Sequence, residues 1–116
     1  MAEEIRVLVA DDDTVVRGTI RDVLVDAGLS VVGEASDNDE ALRLCRELNP
    51  HVLLLDLKMP GPPAADVVGW LRERCPRVRV LVLTGRDDEL SVQRMVDAGV
   101  TGYVVKGDPG TLAGTV

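Results

Sequence analysis

The sequence predicts a doubly wound α/β domain, in which a five-stranded parallel sheet carries helices on both faces. Short runs of valine and leucine lack the alternation of a half-exposed strand, which is typical of parallel strands buried on both faces. Segments with helical apolar spacing separate these runs, and that order favours one parallel sheet. Two of the runs, Val7–Ala10 and Val52–Leu55, lead directly into aspartate.

Five segments have the pattern of buried strands. They are Arg6–Ala10, Val31–Ala35, Val52–Asp56, Val80–Thr84 and Gly102–Lys106. Helical patterns fill the intervals between them, so we expect a helix to connect each strand to the next.

The first helix is predicted from about Thr14 to Ala27, with Asp13 as its N-cap and Gly28 as its left-handed C-terminal residue. The residues expected to face the sheet are Val15, Ile20, Val23 and Leu24.

The second helix is predicted to end near Leu48, where Asn49-Pro50 stops it. Its expected N-cap is Ser36, which is followed by the acidic residues Asp39 and Glu40. The residues at core-facing helical positions are Ala41, Leu42, Cys45 and Leu48.

Two further helices are predicted, from about Ala64 to Arg74 and from about Asp88 to Ala98, with Gly99 closing the latter. The residues expected to face inward are Val67, Val68, Leu71, Val92, Met95 and Val96. A fifth helix is expected to begin near Pro109 and to be truncated, because the sequence stops at Val116 after a turn or two. A longer native protein or a partner that covers this end would explain the short helix.

Composition bounds the class of protein. The 116 residues, with 46% hydrophobic content, fit a single domain. A net charge of −7 argues against nucleic-acid binding by this stretch itself, which needs clustered basic residues. No apolar stretch approaches the roughly 20 residues that span a bilayer. The acidic N-terminus does not fit a secretory signal, so we expect a cytoplasmic protein without membrane contact.

Several isolated residues are expected to be structural. Cys45 and Cys75 have no metal or redox spacing and are expected to be free thiols that pack as small apolar residues. His51 is expected in a loop, and Trp70 is expected to be a partly exposed packing residue. The basic residues Arg72, Arg74, Arg77 and Arg79 are expected to be solvated.

Polar residues at the carboxyl ends of the strands carry the functional signal. In a parallel sheet these ends border the functional crevice. There the chain places Asp11, Asp12, Asp56, Thr84 and Lys106. Carboxylate oxygens suit Mg²⁺, a lysine and a hydroxyl suit phosphoryl oxygens, and a carboxylate can itself accept a phosphoryl group. The pattern therefore indicates a phosphoryl-acceptor site that needs Mg²⁺.

Four motifs in this order, spread over nearly the whole chain, resemble the receiver domain of two-component response regulators, and the resemblance implies that residues 1–116 form one receiver domain. The motifs are Val9–Asp13, Leu54–Gly61, Leu83–Gly85 and Gly102–Lys106. The resemblance implies a flavodoxin-like strand order 2-1-3-4-5. It also implies a signalling domain that assists only its own phosphorylation and dephosphorylation, and not an enzyme in the wider sense.

The resemblance implies a role for each matching residue. Asp56 accepts a phosphoryl group from a phosphohistidine of a sensor kinase. Asp12 binds Mg²⁺ directly, Asp11 helps through the ion or its water, and the backbone carbonyl of Lys58 is the third protein ligand. The residues implied in phosphoryl binding and switching are Thr84, Lys106 and Tyr103.

The resemblance also implies an output. Phosphorylation would reshape the face formed by the fourth helix, fifth strand and fifth helix, where a second receiver would bind to form a homodimer. Gly107 after Lys106 is similar to the subfamily that has a C-terminal helix-turn-helix domain. Control of transcription would then act through a DNA-binding domain absent from this chain.

Two alternatives stay open from the sequence. Haloacid-dehalogenase-type phosphatases use the same residue types, but they need an acid where this chain has Lys58. A receiver-like interaction module that works without phosphorylation is the other alternative. Pro62-Pro63 and the short C-terminal end leave room for it, since relatives typically carry a glycine near the start of the third helix.

Overall fold

The computed structural model describes residues 4–84 and 89–105, which form a five-stranded sheet and four helices. The strands are β1 (Arg6–Ala10), β2 (Ser30–Ala35), β3 (Val52–Asp56), β4 (Arg79–Thr84) and β5 (Gly102–Val105). The helices are α1 (Thr14–Asp26), α2 (Asn38–Leu48), α3 (Ala64–Arg74) and α4 (Glu89–Ala98). Within these two ranges no helix has the length and apolarity required to cross a bilayer.

The strand order is β2-β1-β3-β4-β5 and every pairing is parallel, which confirms the predicted topology. In the pairing of β1 with β3, Ala10 lies opposite Leu55. In the pairing of β3 with β4, Asp56 lies opposite Leu83. The carboxyl ends of β1, β3 and β4 are therefore level with one another at one edge of the sheet.

One face of the sheet packs against α2, α3 and α4. Leu8 and Leu53 from the central strands contact a buried cluster that includes Cys45, Val68 and Met95 from the three helices. Because β3 is buried at every position, its side chains contribute to the core on both faces.

The other face packs, within the described part of the chain, against α1. Val7, Val9 and Leu54 form a cluster with Ile20 and Leu24 of that helix. The alternate residues of β1 and β3 thus enter opposite clusters, as the period of two requires. Helices on both faces confirm the doubly wound prediction.

Two residues predicted to face the core are exposed. Val15 is 78% exposed, and Val16 packs against the core in its place. Val96 is 45% exposed, whereas Met95 is buried. Adjacent helical positions are about 100° apart around the axis, so Val15 and Val96 point away from the sheet while the neighbouring Val16 and Met95 face it. The other inward predictions with described side chains are buried or packed against the core, except Leu48, which is partly buried, while the Val92 side chain lies outside the described residues.

The helix caps agree with the sequence at α1 and differ at α2. Asp13 caps α1 and accepts hydrogen bonds from the amides of Val15 and Val16. The prediction of Ser36 as the N-cap of α2 was wrong. Asp37 is the cap, and its carboxylate accepts from Glu40 N at 2.7 Å. Because α2 begins at Asn38, the residue directly before the helix is Asp37, and an N-cap side chain bonds the backbone amide two or three residues further on, here that of Glu40.

Most element boundaries match the prediction to within one residue. The backbone turns left-handed where the first and second helices end, at Gly28 (φ 86°) and at Asn49 (φ 47°). The predicted end of the fifth strand at Lys106, the predicted start of the fourth helix at Asp88 and the predicted fifth helix lie outside the described residues.

The cap of α2 leads to a stability prediction. Replacing Asp37 with alanine removes the carboxylate that accepts from Glu40 N, and should lower the free energy of unfolding by about 1 kcal/mol. Ser36→Ala, the matched control, should change it by less than about 0.5 kcal/mol. Urea unfolding followed by circular dichroism measures both. A larger loss for Ser36→Ala than for Asp37→Ala would contradict this assignment of the cap.

Candidate functional site

Three carboxylates converge at the carboxyl edge of the sheet. Asp11 directly follows β1, Asp12 is the next residue, and Asp56 is the last residue of β3. One carboxylate oxygen from each lies within 4.8 Å of the other two. Because Ala10 and Leu55 are paired in register, Asp11 and Asp56 are brought side by side.

Asp11 is fully buried and is held by its backbone as well as its side chain. Its amide donates to Ala35 O at 3.0 Å, which continues the β1–β2 pairing by one residue. Its Oδ1 accepts from Asp13 N at 2.9 Å. This last bond turns the chain out of β1 and into the N-cap of α1.

Arg17 fixes the Asp11 backbone from α1. Its Nη1 donates to the Asp11 carbonyl oxygen at 2.7 Å, and its Nε pairs with Glu34 Oε1 of β2 at 3.1 Å. The guanidinium thus joins α1, β2 and the end of β1. The sequence analysis missed this residue, since a single arginine on a helix has no local signal that distinguishes it from ordinary surface charge.

Asp56 is buried, with 4% of its surface exposed. Its Oδ1 accepts from Lys58 N at 3.2 Å, so the loop that follows β3 turns around the carboxylate. Leu57 N donates to Leu83 O at 3.3 Å, which ties the start of the same loop to β4. Asp12, in contrast, is exposed, and the group opens to solvent on its side.

The structure places two other predicted site residues on β4 and β5. Thr84 is the last residue of β4 and is buried, with Val105 opposite it on β5. Tyr103 lies opposite Val82, and its side chain is 52% exposed. The remaining predicted residue, Lys106, lies outside the described residues.

The histidine and the cysteines lie away from this edge. His51 precedes β3, and its Nδ1 accepts from Arg6 N at 2.9 Å at the amino end of the sheet. Cys45 is buried and Cys75 partly buried, both as free thiols, as predicted. Burial, with a smaller contribution from Cys75, raises the pKa of Cys45 to about 12, which makes it a poor nucleophile.

Trp70 is partly buried on α3, as predicted, and two arginines lie over its ring. The guanidinium carbons of Arg74 and Arg46 are 5.2 Å and 5.8 Å from the ring centroid. The four arginines predicted to be solvated, at the end of α3, in the loop after it and at the start of β4, are exposed.

The donor set at the acidic edge fits a hard divalent cation. Carboxylate oxygens are the ligands that Mg²⁺ prefers. Two unit charges 4 Å apart repel by about 4 kcal/mol at an effective dielectric of about 20, so three converging carboxylates favour a cation among them. The residues present could therefore hold Mg²⁺ through Asp11, Asp12 and Asp56.

Comparison with known proteins gives consistent matches. The family model for the response regulator receiver domain matches residues 7–116. The response regulator GacA of Pseudomonas aeruginosa is 40% identical over 104 residues, which are 89% of this chain and 49% of GacA. BvgA of Bordetella pertussis is 33% identical over 101 residues, which are 87% of this chain and 48% of BvgA. BvgA is described as a positive transcription regulator of virulence factors. The chain spans about half the length of these relatives.

The fold comparison agrees with the family match. The signal receiver domain of the response regulator NarL from Mycobacterium tuberculosis superposes with a TM-score of 0.91 at 31% identity, covering 98% of this chain and 94% of that one. Sequence and fold thus match the same kind of domain over almost the full length of the chain. The chain belongs to the response regulator receiver domain family.

Proposed function

We propose that this receiver domain is a phosphorylation-activated switch in which Asp56 accepts a phosphoryl group from a sensor histidine kinase. The observation that carries the proposal is the convergence of Asp56 with Asp11 and Asp12 at one edge of the sheet. Burial of Asp56 beside an exposed Asp12 supports an acceptor that is shielded on the core side and approachable from solvent.

The proposed reaction needs no general base, because an ionised aspartate has no proton to lose. An Asp56 carboxylate oxygen attacks the phosphorus, the new O–P bond forms, and the P–N bond to the kinase histidine breaks. The electron pair of that bond leaves with the histidine nitrogen. The protein therefore contributes mainly by positioning groups and neutralising charge.

The proposed metal ligands are the carboxylates of Asp11, Asp12 and Asp56 and the backbone carbonyl of Lys58. When bound, Mg²⁺ would offset the negative charge of the carboxylates and of the incoming phosphoryl oxygens. Asp11 is kept in place by Arg17 and by the amide of Asp13, and Asp56 by the amide of Lys58. These bonds support ligands that are oriented before the ion arrives.

The proposed switch residues are Thr84, Lys106 and Tyr103. The Thr84 hydroxyl would donate to a phosphoryl oxygen, since the residue ends the strand beside Asp56. Lys106 would pair with the phosphoryl group, a role that rests on its place directly after β5 in the sequence. The half-exposed Tyr103 ring has room to change rotamer when Thr84 moves.

We propose that the output is a homodimer formed on phosphorylation through the face of α4 and β5. Val96 and Tyr103 are 45% and 52% exposed there, which supports a surface that packs against a second copy. Residues 1–116 would act as one cytoplasmic receiver domain without membrane contact. DNA would be bound by a C-terminal helix-turn-helix domain outside this chain, an arrangement supported by relatives about twice its length.

The acceptor role predicts the effect of Asp56→Asn. With acetyl phosphate and Mg²⁺, the variant should show no labelling, because the amide lacks the nucleophilic carboxylate oxygen. Intact-protein mass spectrometry measures the added phosphoryl group. Asp26→Asn, at the far end of α1, is the control and should label as the wild type does. Labelling of Asp56→Asn at the full rate would show that another residue is the acceptor.

The switch role predicts a separation of functions in Lys106→Ala. Mg²⁺ affinity, measured by calorimetry, should stay at the wild-type value because the metal ligands are unchanged. The phosphorylated variant should remain monomeric in light scattering, whereas the phosphorylated wild type and the α2 surface variant Arg43→Ala should dimerise. Normal dimerisation of phosphorylated Lys106→Ala would refute the role of the lysine.

A further inference from the structure

The loop between β3 and α3 is poor in backbone hydrogen-bond donors. Three of the four residues Pro60-Gly61-Pro62-Pro63 are prolines, which have no N–H. Gly61 carries the single backbone donor in this stretch. The segment must therefore be fixed mainly through its carbonyl oxygens, by donors on other parts of the chain.

One residue of α2 supplies two such donors. Asn38 N donates to Pro60 O at 2.9 Å, and Asn38 Nδ2 donates to Pro62 O at 2.7 Å. Asn38 is the first residue of α2, where the backbone amide has no partner within the helix. Its main chain and side chain therefore hold two alternate carbonyls of the proline loop.

Close packing reinforces the two bonds. Gly61 has φ of 106°, and a Cβ added there would lie 3.2 Å from Asn38 Cβ and 3.3 Å from Asn38 N. That spacing is tighter than most side-chain contacts, so the loop lies directly against the start of α2. Glycine is suited to this position because of both its backbone angle and the lack of space.

The side-chain amide of Asn38 is buried, and only its donor end makes a hydrogen bond within the described residues. Asn38 is 1% exposed, and within residues 4–84 and 89–105 its Oδ1 has no hydrogen-bond partner. A buried acceptor without a partner destabilises a fold, whereas an apolar side chain of the same shape would not. The Nδ2 donor, and not general packing, is what the amide offers at this position.

We propose that Asn38 is a positioning residue for the metal and phosphoryl site, acting through the proline loop; this inference rests on the proposed function. The proline loop begins two residues after Lys58, whose amide donates to Asp56 Oδ1 and whose carbonyl is the proposed third metal ligand. Asn38 N holds the carbonyl of Pro60, two residues after Lys58, and Asn38 Nδ2 holds that of Pro62, four residues after it. By fixing the carbonyls of Pro60 and Pro62, Asn38 keeps the preceding Lys58 peptide in place beside Asp56.

Asn38→Leu tests the inference, because leucine matches asparagine in shape and keeps the backbone N–H while removing the Nδ2 donor. We expect the affinity for Mg²⁺, measured by calorimetry, to fall about tenfold, as for other residues that orient metal ligands. The urea midpoint should not fall, because the unpaired buried acceptor is removed as well. Ser36→Ala, two residues away and exposed, should match the wild type in both measurements.

A second readout needs no metal. In ¹⁵N-resolved hydrogen exchange of the metal-free protein, the Lys58 amide, which donates to Asp56 Oδ1, should exchange faster in Asn38→Leu than in the wild type and Ser36→Ala. Amides in the centre of β3 should be unchanged. If Asn38→Leu does not fold, Asn38→Ser takes its place, since the serine side chain is too short to reach Pro62 O. The same loss of Mg²⁺ affinity and the same faster exchange are then expected, without the expectation of an unchanged urea midpoint, because serine is smaller and keeps a polar oxygen.

The outcomes separate the two proposals. Wild-type Mg²⁺ affinity together with unchanged exchange of the Lys58 amide in the Asn38 variant overturns the positioning role, while labelling of the wild type on Asp56 leaves the proposed function intact. Failure of the wild-type protein to bind Mg²⁺ overturns both. A tenfold loss of affinity with faster loop exchange and unchanged stability supports the positioning role.

Discussion

Crowding of negative charge at one edge of a sheet is the constraint on which this domain depends. The parallel register of β1 with β3 places the residues after Ala10 and Leu55 side by side, and both are aspartate. Folding must therefore hold two buried carboxylates and an exposed one together against their repulsion. The bonds around the site follow from this requirement, because they fix the backbone on either side of each acid.

The sheet and the acidic edge could be predicted from the sequence because their signals are local. Uninterrupted apolar runs specify strands buried on both faces. Because all the strands are parallel, the residues that end them lie at the same edge of the sheet. Local periodicity is less informative at helix termini. Val15 fits the apolar stripe of α1 by spacing but lies on the first turn, where Val16 packs against the core instead.

Contacts between distant segments could not be predicted in this way. Arg17 and Glu34 are seventeen residues apart, and Asn38 and Pro62 are twenty-four apart, so neither pair leaves a pattern within one element. The prediction of the α2 cap was wrong for a related reason. Ser36 and Asp37 are both good capping residues, and the backbone alone decides which of them precedes the first helical turn.

The contact of Arg17 with the Asp11 carbonyl has a consequence for the thermodynamics of the proposed Mg²⁺ binding. A guanidinium that binds a main-chain oxygen immobilises the peptide, and the Asp11 carboxylate is not occupied by this bond. The conformational entropy of ordering this segment is then lost when the polypeptide folds, and not when a ligand docks. Selectivity among divalent ions of different radius would follow from such rigidity, since a stiff cradle adapts poorly to a larger ion.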